Sequence, residues 1–144
     1  MLEVKGLNQF YGESHTLWDL DLGVDAASRT CLMGRNGVGK TTLLRCIMGL
    51  EPVHSGEIRF QGERLDGKPA QTRAPAGIAY VPQGREIFPR LSVHENLRTG
   101  LGVSGASRVP DMVFDLFPVL AQMLARRGGD LSGGQQQQLA IGRA

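Results

Sequence analysis

The sequence predicts an α/β fold in which a parallel core sheet carries a glycine-rich loop between a buried strand and a helix. Residues 34–41 read GRNGVGKT and match the pattern G-x-x-x-x-G-K-[ST] at each fixed position. The apolar run at residues 30–33 precedes this loop, as expected for a strand buried on both faces of a parallel sheet. Strand patterns dominate up to position 83 and helical patterns dominate after it.

In the first half, the elements follow from apolar spacing. Leu2, Val4 and Leu7 begin a strand that is broken at Gly12, and residues 17–24 predict a second strand. After the glycine-rich loop, residues 43–48 have helical spacing, and Gly49 is the expected end of that helix. Residues 56–60 predict a strand with a turn at 61–62, and residues 78–81 predict another buried strand.

The second half predicts helices. Ser92 is the expected cap of a short helix through Leu97, followed by a mobile Gly/Ser-rich loop at residues 100–107. Residues 110–125 have helical spacing with a break at Pro118. Ser132 and Gln135 have the S-x-x-Q spacing of a capping box at a further helix start.

Composition narrows the class of protein. The chain has 144 residues, 41% of them hydrophobic, and a net charge of +2, which fits one globular domain and gives no reason to expect a nucleic-acid partner. No stretch suggests a signal peptide or a membrane span. Cys31 and Cys46 are expected to be core residues of a reduced, intracellular protein, which argues against a zinc or disulfide framework.

The glycine-rich loop predicts binding of a nucleoside triphosphate with Mg²⁺. Glycines let successive backbone N–H groups surround an anion, and the helix that follows has a positive end at its N-terminus. Lys40 supplies a cation for the outer phosphates, and Thr41 offers a hydroxyl to Mg²⁺. The loop alone does not separate a kinase, a GTPase, a helicase and a transport ATPase.

Three motifs in order along the chain are GRNGVGKT, then Gln83 after a buried strand, then LSGGQ at residues 131–135. With them, the whole chain resembles the ATP-binding subunits of ABC transporters. The segment IAYVPQGREIFPRLSVHENL resembles subunits that serve branched-chain amino-acid and urea or amide importers. The beginning, LNQFYGESHTL, and the end, LSGGQQQQLAIGRA, are most similar to the urea type.

The resemblance implies a P-loop NTPase fold of the ABC ATPase type, with a β-rich N-terminal part, a parallel core sheet and a helical subdomain, incomplete at the C-terminus. It divides the chain into residues 1–83, the β subdomain and start of the ATP-binding core; 84–136, the helical subdomain; and 137–144, the start of the return to the core. It also implies a cytoplasmic subunit on the inner face of the cell membrane.

By the same resemblance, ATP is held by Tyr11 and by the loop residues Gly34, Arg35, Asn36, Gly37, Val38, Gly39, Lys40, Thr41 and Thr42. Lys40 and Gln83 have catalytic roles, and Thr41 and Gln83 bind Mg²⁺. Tyr11 stacks on adenine in this assignment. Phe10 competes for that role, and the alternative for Tyr11 is a core aromatic at a strand end.

The segment LSGGQ is assigned to a second nucleotide. Leu131, Ser132, Gly133, Gly134 and Gln135 would contact the γ-phosphate of ATP held on the opposite subunit, so that two copies sandwich two nucleotides. The expected partners are therefore a second ATP-binding subunit and membrane-spanning permease subunits facing residues 84–97. A substrate-binding protein is an indirect partner.

In the family, an apolar strand ending in Asp-Glu and a phosphate-sensing histidine follow the LSGGQ segment. Here no such Asp-Glu is present, and His15, His54 and His94 all precede LSGGQ. We therefore expect this chain alone to bind ATP weakly, to lack turnover and to expose apolar sheet surface. The alternatives are an ATP-binding module that never hydrolyses ATP and a soluble ABC protein of translation or DNA repair.

Overall fold

The computed structural model describes the backbone of residues 1–144 and the side chains of residues 1–102 and 105–144. The chain divides into two compact units, Met1–Ala76 and Gly77–Ala144. The division at residues 83 and 136 stays a prediction. Among the described residues, no helix is both long and apolar enough to cross a lipid bilayer.

The first unit contains a four-stranded antiparallel sheet in the order β2-β1-β3-β4. Its strands are β1 (Leu2–Tyr11), β2 (Ser14–Val24), β3 (Ser55–Phe60) and β4 (Glu63–Arg64). The first three were predicted from alternation of apolar residues, and their existence is confirmed. The turn between β3 and β4 is also confirmed, because Gln61 and Gly62 have φ values of +53° and +83°, as a tight hairpin turn requires.

Helix α1 (Lys40–Ile47) contacts β2 and buries Leu43, Cys46 and Ile47. It ends as predicted before Gly49, which has a φ of +69°. The buried Arg73 side chain donates hydrogen bonds of 2.8 Å each to the carbonyl oxygens of Ile47 and Leu65. Arg73 therefore ties the end of this helix to the segment after β4, a role that no local pattern in the sequence indicated.

Two strand predictions are wrong for this chain. Residues 30–33 and 78–81 lie outside every strand, and the Met33 side chain is 83% exposed. A strand needs a hydrogen-bonded neighbour, and no described segment pairs with either run. The predicted parallel strands are therefore absent, and Cys31 is exposed instead of lying in a core, whereas Cys46 is buried as expected.

The second unit is helical. Its helices are α2 (Val93–Ser104), α3 (Asp111–Leu116), α4 (Pro118–Ala121) and α5 (Gly133–Arg143), with a short 3₁₀ turn at Gly128–Asp130. Their apolar faces share one core, which contains Val93, Leu97, Val109, Val113, Leu120, Leu131 and Leu139. The predicted break at Pro118 is confirmed, since α3 ends at Leu116 and α4 begins at the proline.

Helix α2 begins at its predicted Ser92 cap but runs well past Leu97, to Ser104, before Gly105 ends it with a φ of +68°. The predicted loop at residues 100–107 is therefore wrong over its first part. The reason is packing: a Cβ at Gly100 would overlap the carbonyl oxygen of Arg143. This glycine lets two helices approach closely and does not mark a loop.

Candidate functional site

The glycine-rich loop of the first unit is fixed by contact with strand β2. Gly37 and Gly39 have φ values of +83° and +95°, which residues with side chains rarely adopt. A Cβ at Gly39 would lie 2.7 Å from the Cδ2 atom of Leu17. Conformation and crowding therefore both require glycine at the residue that caps helix α1.

Lys40 crosses this loop instead of extending away from it. Its Nζ atom donates hydrogen bonds to the carbonyl oxygens of Gly34 at 2.7 Å and of Arg35 at 2.6 Å. The ammonium group is thus held against the loop backbone at Gly34 and Arg35. A cation in this place can contact the outer phosphates of a nucleotide bound in the loop.

Helix α1 directs free backbone donors at the same region. Its first helical hydrogen bond runs from the Leu43 N–H to the Gly39 carbonyl oxygen at 2.8 Å. No side chain caps the helix and its first turn carries no acidic residue. The N–H groups of Lys40, Thr41 and Thr42 thus precede that bond at the positive end of the helix. A cation, glycine backbone and an uncapped helix start together suit a phosphate chain.

The aromatic residues of β1 and β2 differ in what their rings contact. The His15 ring stacks on Phe10 with 4.0 Å between ring centroids and on Trp18 with 3.7 Å between ring centroids. Tyr11, the last residue of β1, is 46% exposed and has no ring partner among the described residues. The Phe10 ring is thus engaged, whereas that of Tyr11 is available, and stacking of Tyr11 on adenine stays a prediction. No sequence pattern indicated a role for Trp18, which is 70% exposed.

Gln83 lies in the second unit, in a tight turn. The Arg85 N–H donates to the carbonyl oxygen of Pro82 at 3.0 Å, which places Gln83 and Gly84 at the centre of the turn. The Gln83 side chain is exposed.

The hydroxyl of Thr41 and the amide oxygen of Gln83 are oxygen ligands of the kind that Mg²⁺ prefers. Among the described residues, no group of three or more His, Cys, Asp or Glu side chains could hold a metal ion.

The start of α5 is a complete capping box, as predicted. The Gln135 N–H donates to the Ser132 hydroxyl at 3.4 Å, and the Ser132 N–H donates to the Gln135 side-chain oxygen at 2.9 Å. Leu131 is buried and anchors the turn, while Gly133 and Gly134 are exposed. A Cβ at Gly134 would meet nothing within 4 Å, so this side of the helix start is open to an approaching group.

Arg85, which no motif in the sequence indicated, contacts this helix start. Its guanidinium donates to the side-chain oxygen of Gln136 at 3.0 Å. The structure thus joins Arg85 and the LSGGQ helix, which are distant in sequence, and no local spacing could have indicated the pair.

Comparisons with known proteins agree with this geometry. The family model described as ABC transporter matches residues 17–144. The chain is 40% identical over 147 aligned positions to the probable branched-chain amino acid transport ATP-binding protein LivF of Archaeoglobus fulgidus. It is 41% identical over 147 aligned positions to the high-affinity branched-chain amino acid transport ATP-binding protein BraG of Pseudomonas aeruginosa. All of the chain aligns, and it spans 62% and 63% of those relatives.

Solved structures give the same fold. One described as an ATP-binding subunit of an ABC transporter superposes with a TM-score of 0.87 at 30% identity, covering 100% of this chain and 61% of that one. A dimeric bacterial ABC transporter cassette superposes with a TM-score of 0.82 at 23% identity, covering 99% of this chain and 68% of that one. The second match concerns the fold alone.

Proposed function

Because the chain belongs to the ABC transporter family, we propose that it is the ATP-binding subunit of an importer, whose ATP binding and hydrolysis drive solute uptake. The observation that carries this proposal is the phosphate loop, where Lys40 lies across a glycine backbone at the start of α1. Residues 34–42 would bind the phosphates, and Tyr11 would stack on the adenine. Lys40 and Gln83 are the proposed catalytic residues.

Mg²⁺ is proposed at Thr41 and Gln83, whose oxygen atoms suit it. When bound, the ion would neutralise charge that develops on the phosphates during transfer. The role of this chain is to orient the nucleotide. The glycine N–H groups would hold the phosphates, and the Lys40 ammonium would hold the outermost phosphate.

The LSGGQ segment supports action in pairs. Its capped helix start is exposed, and it is open at Gly134, as an approaching phosphate requires. We therefore place residues 131–135 against the nucleotide of a second ATP-binding subunit. Residues 84–97 would face a permease on the inner side of the membrane, in a complex supplied by a substrate-binding protein.

Branched-chain amino acids are the favoured cargo, since the names of LivF and BraG assign that transport to two relatives. Urea or short amides are the second candidate, favoured by the resemblance of residues 7–17 and 131–144 to urea-type subunits. Deletion of the gene, followed by uptake of labelled leucine and labelled urea, separates the two. Unchanged uptake of both would contradict the proposed cargo classes.

A module that binds ATP without hydrolysing it is the alternative from a different class. The complete gene product, assayed for binding of a fluorescent ATP analogue and for phosphate release with Mg²⁺, distinguishes them. Binding with turnover supports the ATPase, binding without turnover supports the module, and absence of binding contradicts both.

A further inference from the structure

The Arg85 guanidinium lies against the first turn of α5. Its Nη1 atom donates to the Gln136 side-chain oxygen at 3.0 Å, and a methyl group at Gly133 would lie 3.4 Å from Nη2. Gln136 continues the contact, because its Nε2 atom donates to the carbonyl oxygen of Leu131 at 3.2 Å. Through Gln136, Arg85 is therefore linked to the backbone of Leu131, the residue before Ser132.

The backbone of Arg85 is held in an unusual conformation. Arg85 and Glu86 have φ values of +64° and +48°, and neither is a glycine. Hydrogen bonds from the Arg85 N–H to Pro82 at 3.0 Å and from the Glu86 N–H to Gly84 at 2.7 Å hold the turn. Such conformations persist where the surroundings fix them, often at functional sites. Here the turn both carries Gln83 and directs Arg85 toward α5.

Stability of α5 does not explain this arginine. A cation beside the N-terminus of a helix opposes the positive end of the helix dipole, and an acidic residue would stabilise the helix better. The helix start is already capped by Ser132 and Gln135. The arrangement becomes favourable when an anion approaches the same helix end, as the proposed pairing of two subunits requires.

We propose that Arg85 is a positioning residue that joins the turn containing Gln83 to the LSGGQ helix start, and that this contact favours nucleotide-dependent pairing of two subunits. The inference rests on the proposed function. Within one subunit, Arg85 thus adds a direct side-chain contact between the turn that carries Gln83 and the segment offered to the partner's nucleotide. This contact acts beside the backbone hydrogen bonds from Gly128 to Leu91 and from Gly129 to Pro89.

The test uses the complete gene product with Arg85→Gln, Arg85→Lys and, as a matched control, Arg126→Ala, which removes an exposed arginine of the same unit. Pairing is measured by light scattering with Mg²⁺ and a non-hydrolysable ATP analogue. We expect Arg85→Gln to weaken pairing about 3- to 30-fold, as single residues in coupled networks do. Arg85→Lys should restore part of the loss, because lysine keeps the charge without the planar fork. Arg126→Ala should pair like the wild type.

Two further measurements exclude a merely structural role. Arg85→Gln should bind a fluorescent ATP analogue as a monomer and melt at the wild-type temperature. Gln136→Ala should weaken pairing similarly, and the double variant should be no worse than either single one. Wild-type pairing by Arg85→Gln, a lowered melting temperature or additive losses would each overturn the inference. A wild-type protein that binds no nucleotide or never pairs would overturn the proposed function, and this inference with it.

Discussion

The Nζ atom of Lys40 donates to the carbonyl oxygen of Gly34 at 2.7 Å, so the side chain at the start of α1 reaches back to the first residue of the GRNGVGKT loop. The loop is thereby closed by its own lysine. Its ammonium group and the loop N–H groups lie around one small region, and a phosphate chain placed there would meet both. We therefore expect the charge of Lys40 to contribute to phosphate binding as well as to closure of the loop.

Replacing Lys40 with alanine should weaken ATP binding and leave the fold intact. A charge-assisted hydrogen bond contributes about 1.5–3 kcal/mol, which corresponds to a loss of affinity of about 10- to 150-fold. Titration of a fluorescent ATP analogue, with matched circular dichroism, measures this. Lys5→Ala is the control, since that lysine pairs with Glu3 on the surface of β1. Equal affinity of Lys40→Ala and wild type would contradict the role given to the loop.

Gly39→Ala should destabilise the first unit more than Gly67→Ala. Both glycines have positive φ values, +95° and +77°, so both substitutions introduce backbone strain of about 1–2 kcal/mol. Only at Gly39 would the new Cβ also meet the Leu17 side chain, at 2.7 Å. Overpacking of this kind adds about 1–3 kcal/mol. Urea unfolding of both variants gives the difference, and equal losses would show that the contact with β2 relaxes freely.

Ser132→Phe, made in the complete gene product, should spare nucleotide binding by the monomer and block nucleotide-dependent pairing. A ring at this position would occupy the open side of the α5 start. Loss of the cap alone costs about 0.5–2 kcal/mol of stability. Ser92→Ala controls for that loss, because Ser92 caps α2 with the same kind of box. Light scattering measures pairing, and normal pairing by Ser132→Phe would count against a role in trans.

The two cysteines should differ sharply in reactivity in the chain of residues 1–144. Burial, with a smaller contribution from the charge of Glu51, raises the pKa of the Cys46 thiol to about 11. At pH 8 only about one such thiol in a thousand is the reactive thiolate. Cys31 is exposed. A disulfide reagent should therefore modify one thiol quickly and the second only after unfolding. Cys31→Ser should abolish the rapid phase, and two rapid thiols would contradict the burial of Cys46.

What the sequence predicted well was local. The helix cap at Ser92 and the capping box at Ser132 depend on residues a few positions apart, and the turn at Gln61 and Gly62 depends on two neighbours. Because these features depend only on neighbouring residues, the local sequence pattern is enough to predict them. The same holds for the glycine-rich loop before helix α1. These features are found wherever the pattern occurs in a suitable context.

What the sequence failed to predict depends on distant partners. Residues 30–33 have the composition of a buried strand, but a strand forms only beside another strand, and none pairs with them here. The Gly/Ser-rich composition around Gly100 predicts a loop, because the contact of Gly100 with Arg143 is not visible along the chain. The contact between Arg85 and Gln136 has the same character, since it joins residues from two separate segments.

The close approach of α2 and α5 at Gly100 has a mechanical consequence. With no room for even a methyl group between Gly100 and the Arg143 carbonyl, the two helices cannot slide along each other without collision. At Gly142, a Cβ would lie 2.9 Å from a methyl group of Val113, which gives the same limit on another side of α5. The helices of this unit should therefore move together as one rigid body. A force applied to one end of α2 should displace α5 as a whole instead of compressing the packing between them.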